Sequence, residues 1–171
     1  MSESERTGVA VITGGTRGIG LAIARRLARE GYDLLLTYRD DAEVAEAARA
    51  SLSESGRRVE VMAADVATAD GAGATIEAAM QQLGGLDVVV NNAGITRDTL
   101  IMRMSDADWD AVLTTNLKGT FLVSRAAVRP MLRQRSGRIV NISSVVGQAG
   151  NVGQANYAAA KAAMIGFTKS L

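Results

Sequence analysis

The sequence predicts an α/β fold in which short strands alternate with helices, and three observations carry that reading. Residues 8–13 form a short apolar run that ends in the glycine-rich segment Thr13-Gly14-Gly15-Thr16-Arg17-Gly18-Ile19-Gly20. Beyond it Leu21, Ile23, Ala24, Leu27 and Ala28 recur at helical spacing. Gly31 closes that helix, and Asp33-Leu34-Leu35-Leu36-Thr37-Tyr38 reads as a second strand, which completes a β-α-β unit. Further on, the apolar runs at residues 86–90 and 139–142 again stand between helical stretches, as parallel strands joined by crossover helices require.

The totals narrow the chemistry. The chain has 171 residues, 47% hydrophobic and 22% charged, which suits one globular domain spanning residues 1–171 with a core of its own. A formal net charge of +1 gives no bias toward nucleic acid or a membrane surface. Cysteine and histidine are both absent, so disulfides, the common zinc ligands and the usual general base are excluded. No metal site is expected, and acid–base work falls to Tyr, Lys, Asp or Glu. The start, Met1-Ser2-Glu3-Ser4-Glu5-Arg6, lacks the apolar stretch of a signal peptide, and no apolar run reaches membrane-spanning length. A soluble, cytoplasmic protein is expected.

In chain order, the first strand, glycine turn and helix make a place for a pyrophosphate. Glycines around a helix N-terminus let the backbone come close, and the positive end of the helix dipole suits the charge. Glycines also serve ordinary tight turns, so the strand-to-helix setting is what gives the motif its meaning. A P-loop is excluded, because residues 14–20 contain no Gly-Lys-Ser/Thr ending. The residues past the second strand choose the nucleotide: a carboxylate there holds a ribose 2′-hydroxyl, an arginine accommodates a 2′-phosphate. Arg39 follows Tyr38, and Arg17 adds a second cation, which favours NADPH. Asp40, about twenty residues beyond Gly20, is the argument for NAD. Asp40 and Asp41, however, lead into Ala42-Glu43-Val44-Ala45 and read as helix-start residues.

Residues 41–55 are alanine-rich and helical, and residues 58–63 alternate like a strand with one wet face. Asp65 and Val66 follow at its end, where Asp65 either accepts from an adenine amino group or begins the next turn. Residues 69–83 form another helix, stopped by Gly84-Gly85. The fourth strand then runs into Asn91-Asn92-Ala93-Gly94, two amides able to knit neighbouring backbone above a small-residue floor for a flat ring. Ser105 caps the next helix with Asp108 at the capping-box position; the helical pattern continues to Arg135, and Pro130 is expected to kink that helix or end its regular part. Asn116 is an amide within the apolar face of Val112, Leu113, Leu117 and Phe121, so it needs partners if buried. The β-branched run from residue 139 to 142 reads as a buried fifth strand ending in Ser143 and Ser144.

The last stretch holds the acid. In Tyr157-Ala158-Ala159-Ala160-Lys161 the alanines favour helix, and i to i+4 spacing brings a phenol and an ammonium onto one face. A nearby cation favours phenolate, which makes Tyr157 a tunable acid or base. Ser144 stands 13 residues upstream (157 − 144) at a strand end, placed to face that tyrosine across a loop.

Thr13-Gly14-x-x-x-Gly18-x-Gly20, Asn91-Asn92-Ala93-Gly94, Asn116, Ser144 and Tyr157-x-x-x-Lys161 occur in the order and spacing of the short-chain dehydrogenase/reductase family, which the chain resembles over nearly its whole length. The resemblance implies a Rossmann-like, doubly wound parallel sheet of order 3-2-1-4-5 with helices on both faces and NAD(P) along its carboxyl edge. It implies Tyr157 as the general acid and Lys161 as the residue that lowers its pKa and binds the nicotinamide ribose. Ser144 orients the substrate carbonyl, and Asn116 holds a relay water; Ser143 is off the 13-residue count. Gly14, Thr16, Arg17, Gly18, Ile19, Gly20, Arg39, Asp65, Val66, Asn92, Ala93 and Gly94, with Tyr157 and Lys161, are the implied cofactor contacts.

Within the family, the stretches around Gly94-Ile95-Thr96-Arg97-Asp98, Met102-Arg103-Met104, Gly137-Arg138-Ile139-Val140, Ser144-Val145-Val146-Gly147 and Gly153-Gln154-Ala155-Asn156-Tyr157 resemble bacterial 3-oxoacyl-acyl-carrier-protein reductases. That likeness implies an acyl-carrier protein docked on basic residues such as Arg135, and a homo-oligomer, tetramer or dimer. Family members continue beyond the position of Leu171 with further strands and a substrate loop. The chain therefore reads as a C-terminally incomplete piece with an open apolar edge at the fifth strand. The alternatives are a reductase of another carbonyl or alcohol and a nucleotide-binding fragment without catalysis. A methyltransferase on a similar fold leaves the Tyr157–Lys161 pair unexplained.

Overall fold

A computed structural model of the protein describes residues 8–171; the polar start, residues 1–6, lies outside them. Five parallel strands form one sheet in the order β3-β2-β1-β4-β5. They are β1 (Val9–Ile12), β2 (Asp33–Tyr38), β3 (Val59–Ala63), β4 (Val88–Asn91) and β5 (Arg138–Asn141). The helices are α1 (Gly18–Arg29), α2 (Ala42–Ser53), α3 (Ala69–Ala78), α4 (Asp106–Leu113), α5 (Gly119–Gln134), the one-turn α6 (Val146–Ala149) and α7 (Ala155–Ser170). The family-implied strand order is the observed one.

Two cores cover the two faces of the sheet, and the period of 2 along the strands sorts residues between them. Val9, Val11, Leu35 and Val89 pack with Ile76 of α3, with Ala79 just past its end, and with Leu122, Val123 and Ala127 of α5. Ala10, Ile12, Leu34, Leu36 and Val90 pack on the other side with Ala24 and Ala28 of α1 and Leu52 of α2. β1 and most of β2 are buried on both faces, which explains why they read as continuous apolar runs rather than alternating ones.

Local signals act largely as the sequence predicts. Asp41 caps α2 by accepting the Val44 N–H at 3.1 Å. Ser105 caps α4 by accepting the Asp108 N–H at 3.1 Å, while the Asp108 carboxylate turns back to accept the Ser105 hydroxyl proton at 2.7 Å. Gly84, at φ +83, ends the wide π turn Ala79–Leu83 that extends α3.

Two expectations are corrected. Pro130 lies inside α5 without ending it: a proline so near the helix end forgoes one backbone bond, and the helix runs on to Gln134. The irregularity falls earlier, in a π turn at Thr114–Lys118 between α4 and α5. β5 is not the buried strand its β-branched run suggests but the open apolar edge expected from the resemblance. It is the last strand of the sheet and pairs with β4 alone, so Arg138 and Val140 are exposed, Val140 at 44%. Among the described residues no helix is long and apolar enough to cross a membrane.

Candidate active site

The site grows from the carboxyl ends of β1, β4 and β5. After β1 the chain turns through Gly14 (φ +61) and reaches Gly18 (φ +54), left-handed conformations that glycine adopts at little cost. The turn hangs on β2: the Gly15 N–H donates to the Thr37 carbonyl at 3.1 Å, and the Gly14 N–H to Thr37 Oγ1 at 3.2 Å. α1 starts at Gly18 behind Arg17, whose side chain makes no capping bond, so its first-turn amides have no side-chain cap. A Cβ at Gly20 would lie 2.3 Å from the Gly14 oxygen and 2.6 Å from Asn92 Nδ2. Only a residue without a side chain lets loop, helix and β4 converge there. Thr16 is buried beneath the turn, and Arg17, Gly18 and Ile19 are exposed on its outer side.

Beside this cradle, β4 supplies the floor. Asn92 Nδ2 donates to the carbonyls of Thr13 and Gly14 at 2.9 and 3.0 Å. Thr13 Oγ1 accepts the N–H groups of both Asn92 and Ala93 at 3.0 Å. Asn91 reaches the other way, donating to Asn141 Oδ1 on β5 and Ser124 Oγ on α5. Gly94 admits Asn116, for a Cβ there would lie 3.0 Å from Asn116 Oδ1. Fully buried, Asn116 accepts the Ile95 N–H at 2.7 Å and donates to the Ile95 carbonyl at 3.0 Å. Its side chain is thus committed to one residue's backbone, while its own carbonyl, in the π turn, accepts the Thr120 hydroxyl proton at 2.8 Å.

Tyr157 and Lys161 lie in the first half of α7. Lys161, 3% exposed, donates from Nζ to the Ile142 carbonyl at 2.7 Å and lies 5.6 Å from the centre of the Tyr157 ring. Burial disfavours the ammonium and lowers the Lys161 pKa from 10.5. The two serines divide their roles. Ser143 Oγ donates to the Lys161 carbonyl at 2.9 Å and ties the end of β5 to α7, whereas Ser144 Oγ accepts the Val146 N–H at 3.2 Å in the turn into α6. Gly147 makes this packing possible, because a Cβ there would lie 2.7 Å from the Lys161 carbonyl carbon.

The residues expected to select the nucleotide lie at the far side of β1. Arg39, exposed beyond β2, donates from Nε to Asp40 Oδ2 at 2.7 Å, which raises the guanidinium pKa. Asp40 is therefore the partner of Arg39 rather than a helix-start residue: a carboxylate one residue away reaches the guanidinium, and Asp41 alone caps α2. Asp65 Oδ1 accepts the Ala67 N–H at 3.0 Å and its carbonyl takes the Thr68 hydroxyl, so this acid shapes the turn into α3. Val66 belongs to the core beneath, packed against Gly119. Arg129, Arg133, Arg135 and Arg138 lie on or just after the end of α5, with Arg135 in the left-handed region (φ +55) and Arg133, Arg135 and Arg138 exposed.

One buried amide escaped the sequence reading. Asn156, 0% exposed, accepts the Tyr157 N–H at 2.8 Å and donates to the Arg97 carbonyl at 3.1 Å and, more weakly, to that of Asp108 at 3.4 Å. Alongside, Thr96, Arg97, Asp98, Thr99 and Asp108 line a polar cleft of about 300 Å³. The signal that pointed to it was the position itself, a polar residue in the first turn of a helix, where backbone N–H groups want acceptors.

Residues 8–171, every described position, match the family of short chain dehydrogenases. The chain belongs to that family. It is 52% identical over 161 residues to the 3-oxoacyl-(acyl-carrier-protein) reductase FabG of Staphylococcus aureus, covering 94% of this chain and 65% of that protein. To the 3-oxoacyl-(acyl-carrier-protein) reductase of a Synechocystis species it is 47% identical over 163 residues, covering 95% and 66%. A crystal structure described as that of a short-chain alcohol dehydrogenase from Sinorhizobium meliloti superposes with a TM-score of 0.92 at 36% identity, covering 96% of this chain and 65% of that one. The chain thus spans about 65% of the length of the curated relatives it matches.

Proposed function

We propose that this short-chain dehydrogenase reduces the 3-keto group of an acyl thioester carried on acyl-carrier protein to a 3-hydroxyl, with NADPH as reductant and Tyr157 as proton donor. The observation that carries the proposal is the Lys161 ammonium, buried, anchored to the Ile142 carbonyl and held 5.6 Å from the Tyr157 ring. The relatives named as reductases of 3-oxoacyl-(acyl-carrier-protein) support the substrate class.

The glycine turn fits a dinucleotide. A Cβ at Gly20 would close the junction of loop and helix, Gly18 opens onto free space, and the first turn of α1 has no side-chain cap. Gly14, Thr16, Arg17, Gly18, Ile19 and Gly20 would hold the pyrophosphate, and Asn92, Ala93 and Gly94 the floor beneath the nicotinamide side. Arg39 and Arg17 would meet a 2′-phosphate, with Asp65 and Val66 bordering the adenine. A nicotinamide held there would supply the hydride to the carbonyl carbon. Ser144 Oγ orients the carbonyl, and the Tyr157 phenol gives its proton to the oxygen as the C=O bond becomes CH–OH. Lys161 stabilises the phenolate so left, by its charge in a site screened from water. The Asn116 side chain is committed to Ile95, so a relay water here would be held by the Asn116 carbonyl, which already accepts the Thr120 hydroxyl proton.

Arginines 129, 133, 135 and 138 make the docking ground for an acidic carrier protein, and a homo-oligomer, dimer or tetramer, in the cytoplasm belongs to the same reading. The test is Tyr157→Phe, assayed by NADPH oxidation with a small 3-oxoacyl thioester. Turnover is expected to fall by about 10³-fold or more while NADPH binding stays within about 2-fold. Undiminished turnover overturns the assignment of the acid.

A further inference from the structure

We propose that Asn156 is a positioning residue for the reaction: it fixes the Tyr157 phenol by clamping the first turn of α7 to the loop after β4 and to α4. The inference rests on Tyr157 being the proton donor.

Tyr157 occupies the third position of α7, and the first intrahelical bond is made one residue later, by the Ala158 N–H to the Gln154 carbonyl. The Tyr157 N–H is therefore one of the orphan donors of a helix start. The residue before the helix would ordinarily satisfy it, but the Gln154 side chain makes no capping bond; it donates to Asp98 Oδ2 at 2.8 Å and accepts from Asn151 Nδ2. Asn156 takes over with Oδ1, 2.8 Å from the Tyr157 nitrogen.

The other end of the same amide is anchored elsewhere. Nδ2 donates to the carbonyls of Arg97 and Asp108, which lie 59 and 48 residues away in sequence. The amide is planar and fully buried, so its two ends cannot move independently. The same region is tied again where the Thr99 N–H donates to the Gly153 carbonyl at 2.8 Å. Lys161 holds the far side of the Tyr-x-x-x-Lys turn on the end of β5, through Ile142. The tyrosine is thus fixed from two directions, by the ammonium four residues on and by the amide one residue before it. Proton transfer needs heavy atoms within about 2.6–3.2 Å, and a misplacement of about 1 Å can cost about 100-fold. A clamp on the backbone of the proton donor is accordingly a determinant of kcat.

The experiment compares Asn156→Ala and the isosteric Asn156→Asp in the full chain, each alone and combined with Tyr157→Phe. Readouts are kcat and KM for a small 3-oxoacyl thioester, the dissociation constant for NADPH by fluorescence, and the thermal midpoint. Asn156→Ala is expected to lower kcat by about 30-fold with KM and NADPH affinity within about 2-fold. Asn156→Asp retains an acceptor for the Tyr157 N–H but sets an oxygen against two carbonyls, and is expected to lose at least about 10-fold. In the Tyr157→Phe background, removing Asn156 should change the residual single-turnover rate by less than about 2-fold, because the group it positions is gone. The inference is overturned if both Asn156 variants keep kcat within about 3-fold of the parent, or if the loss is as large in the Tyr157→Phe background as in the parent. Undiminished turnover in Tyr157→Phe alone would instead remove the assignment of the acid. A full loss there beside active Asn156 variants removes only the role of Asn156.

Discussion

Replacing Thr13 by valine removes one oxygen and little else. Val and Thr are nearly equal in shape, and both are β-branched, so the change at the end of β1 leaves the strand backbone and the packing around a side chain only 2% exposed essentially unaltered. What is lost is the acceptor for two amides at once, the N–H groups of Asn92 and Ala93, each 3.0 Å from Thr13 Oγ1, together with a long bond of 3.4 Å to the Val90 carbonyl. An orphaned buried donor costs about 1–3 kcal/mol, and because Asn92 and Ala93 are half-buried we take the lower part of that range for each. The total is about 2–3 kcal/mol, equivalent to a fall of about 5–10 °C in thermal midpoint for a chain of this size. Urea unfolding measures it directly: the midpoint should drop with the slope unchanged. Thr13→Ser, which keeps the hydroxyl, should recover more than half of the loss. A destabilisation below about 0.5 kcal/mol, or a serine variant as unstable as the valine one, would refute the claim that this hydroxyl holds the floor of the site.

Two further outcomes follow from the cofactor side and the buried ammonium. Arg39→Ala is expected to weaken NADPH binding by about 10-fold and leave NADH within about 2-fold, since the exposed pairing with Asp40 contributes little of its own; equal losses for both nucleotides would show that Arg39 does not read the 2′-phosphate. Lys161 has its pKa lowered in the folded state, so between that depressed value and 10.5 the unfolded chain binds more protons and stability rises with pH. Urea midpoints taken as pH rises toward 10.5 should therefore climb more steeply in the parent than in Lys161→Met, and parallel curves would contradict the burial argument.

The parts of the fold legible in the sequence are those set by near neighbours. β2 has the bounds its apolar run predicts, and Asp41 and Ser105 cap the helices they precede. The glycine turn was readable because the chemistry of a tight turn next to a helix demands those residues. What stayed hidden depends on partners far along the chain. The β-branched run alone reads β5 as buried; its exposure follows from its place at the end of the sheet, which only the family resemblance implied. Ser143, passed over on spacing, binds the Lys161 carbonyl 18 residues away, and Asn156 is explained only by Arg97 and Asp108. The π turn around Asn116 likewise lies within a stretch whose apolar spacing reads as ordinary helix. Asp40 shows the opposite limit: two acids before a helix both resembled caps, and side-chain reach to Arg39 separated them.

The bonds that join Asn92 and Ala93 to the turn after β1 have a consequence for the order in which the protein comes into being. They link residues separated by 78 to 80 positions, so the glycine turn is synthesised well before the residues that brace it. Closing so long a loop is entropically costly and is offset only when β4 has docked beside β1. The nascent chain can carry a finished glycine turn for the 78 to 80 residues that follow and, if the turn holds the dinucleotide as proposed, would still lack affinity for it. On the proposed reading of the turn, binding competence would mark completed strand pairing rather than the motif itself.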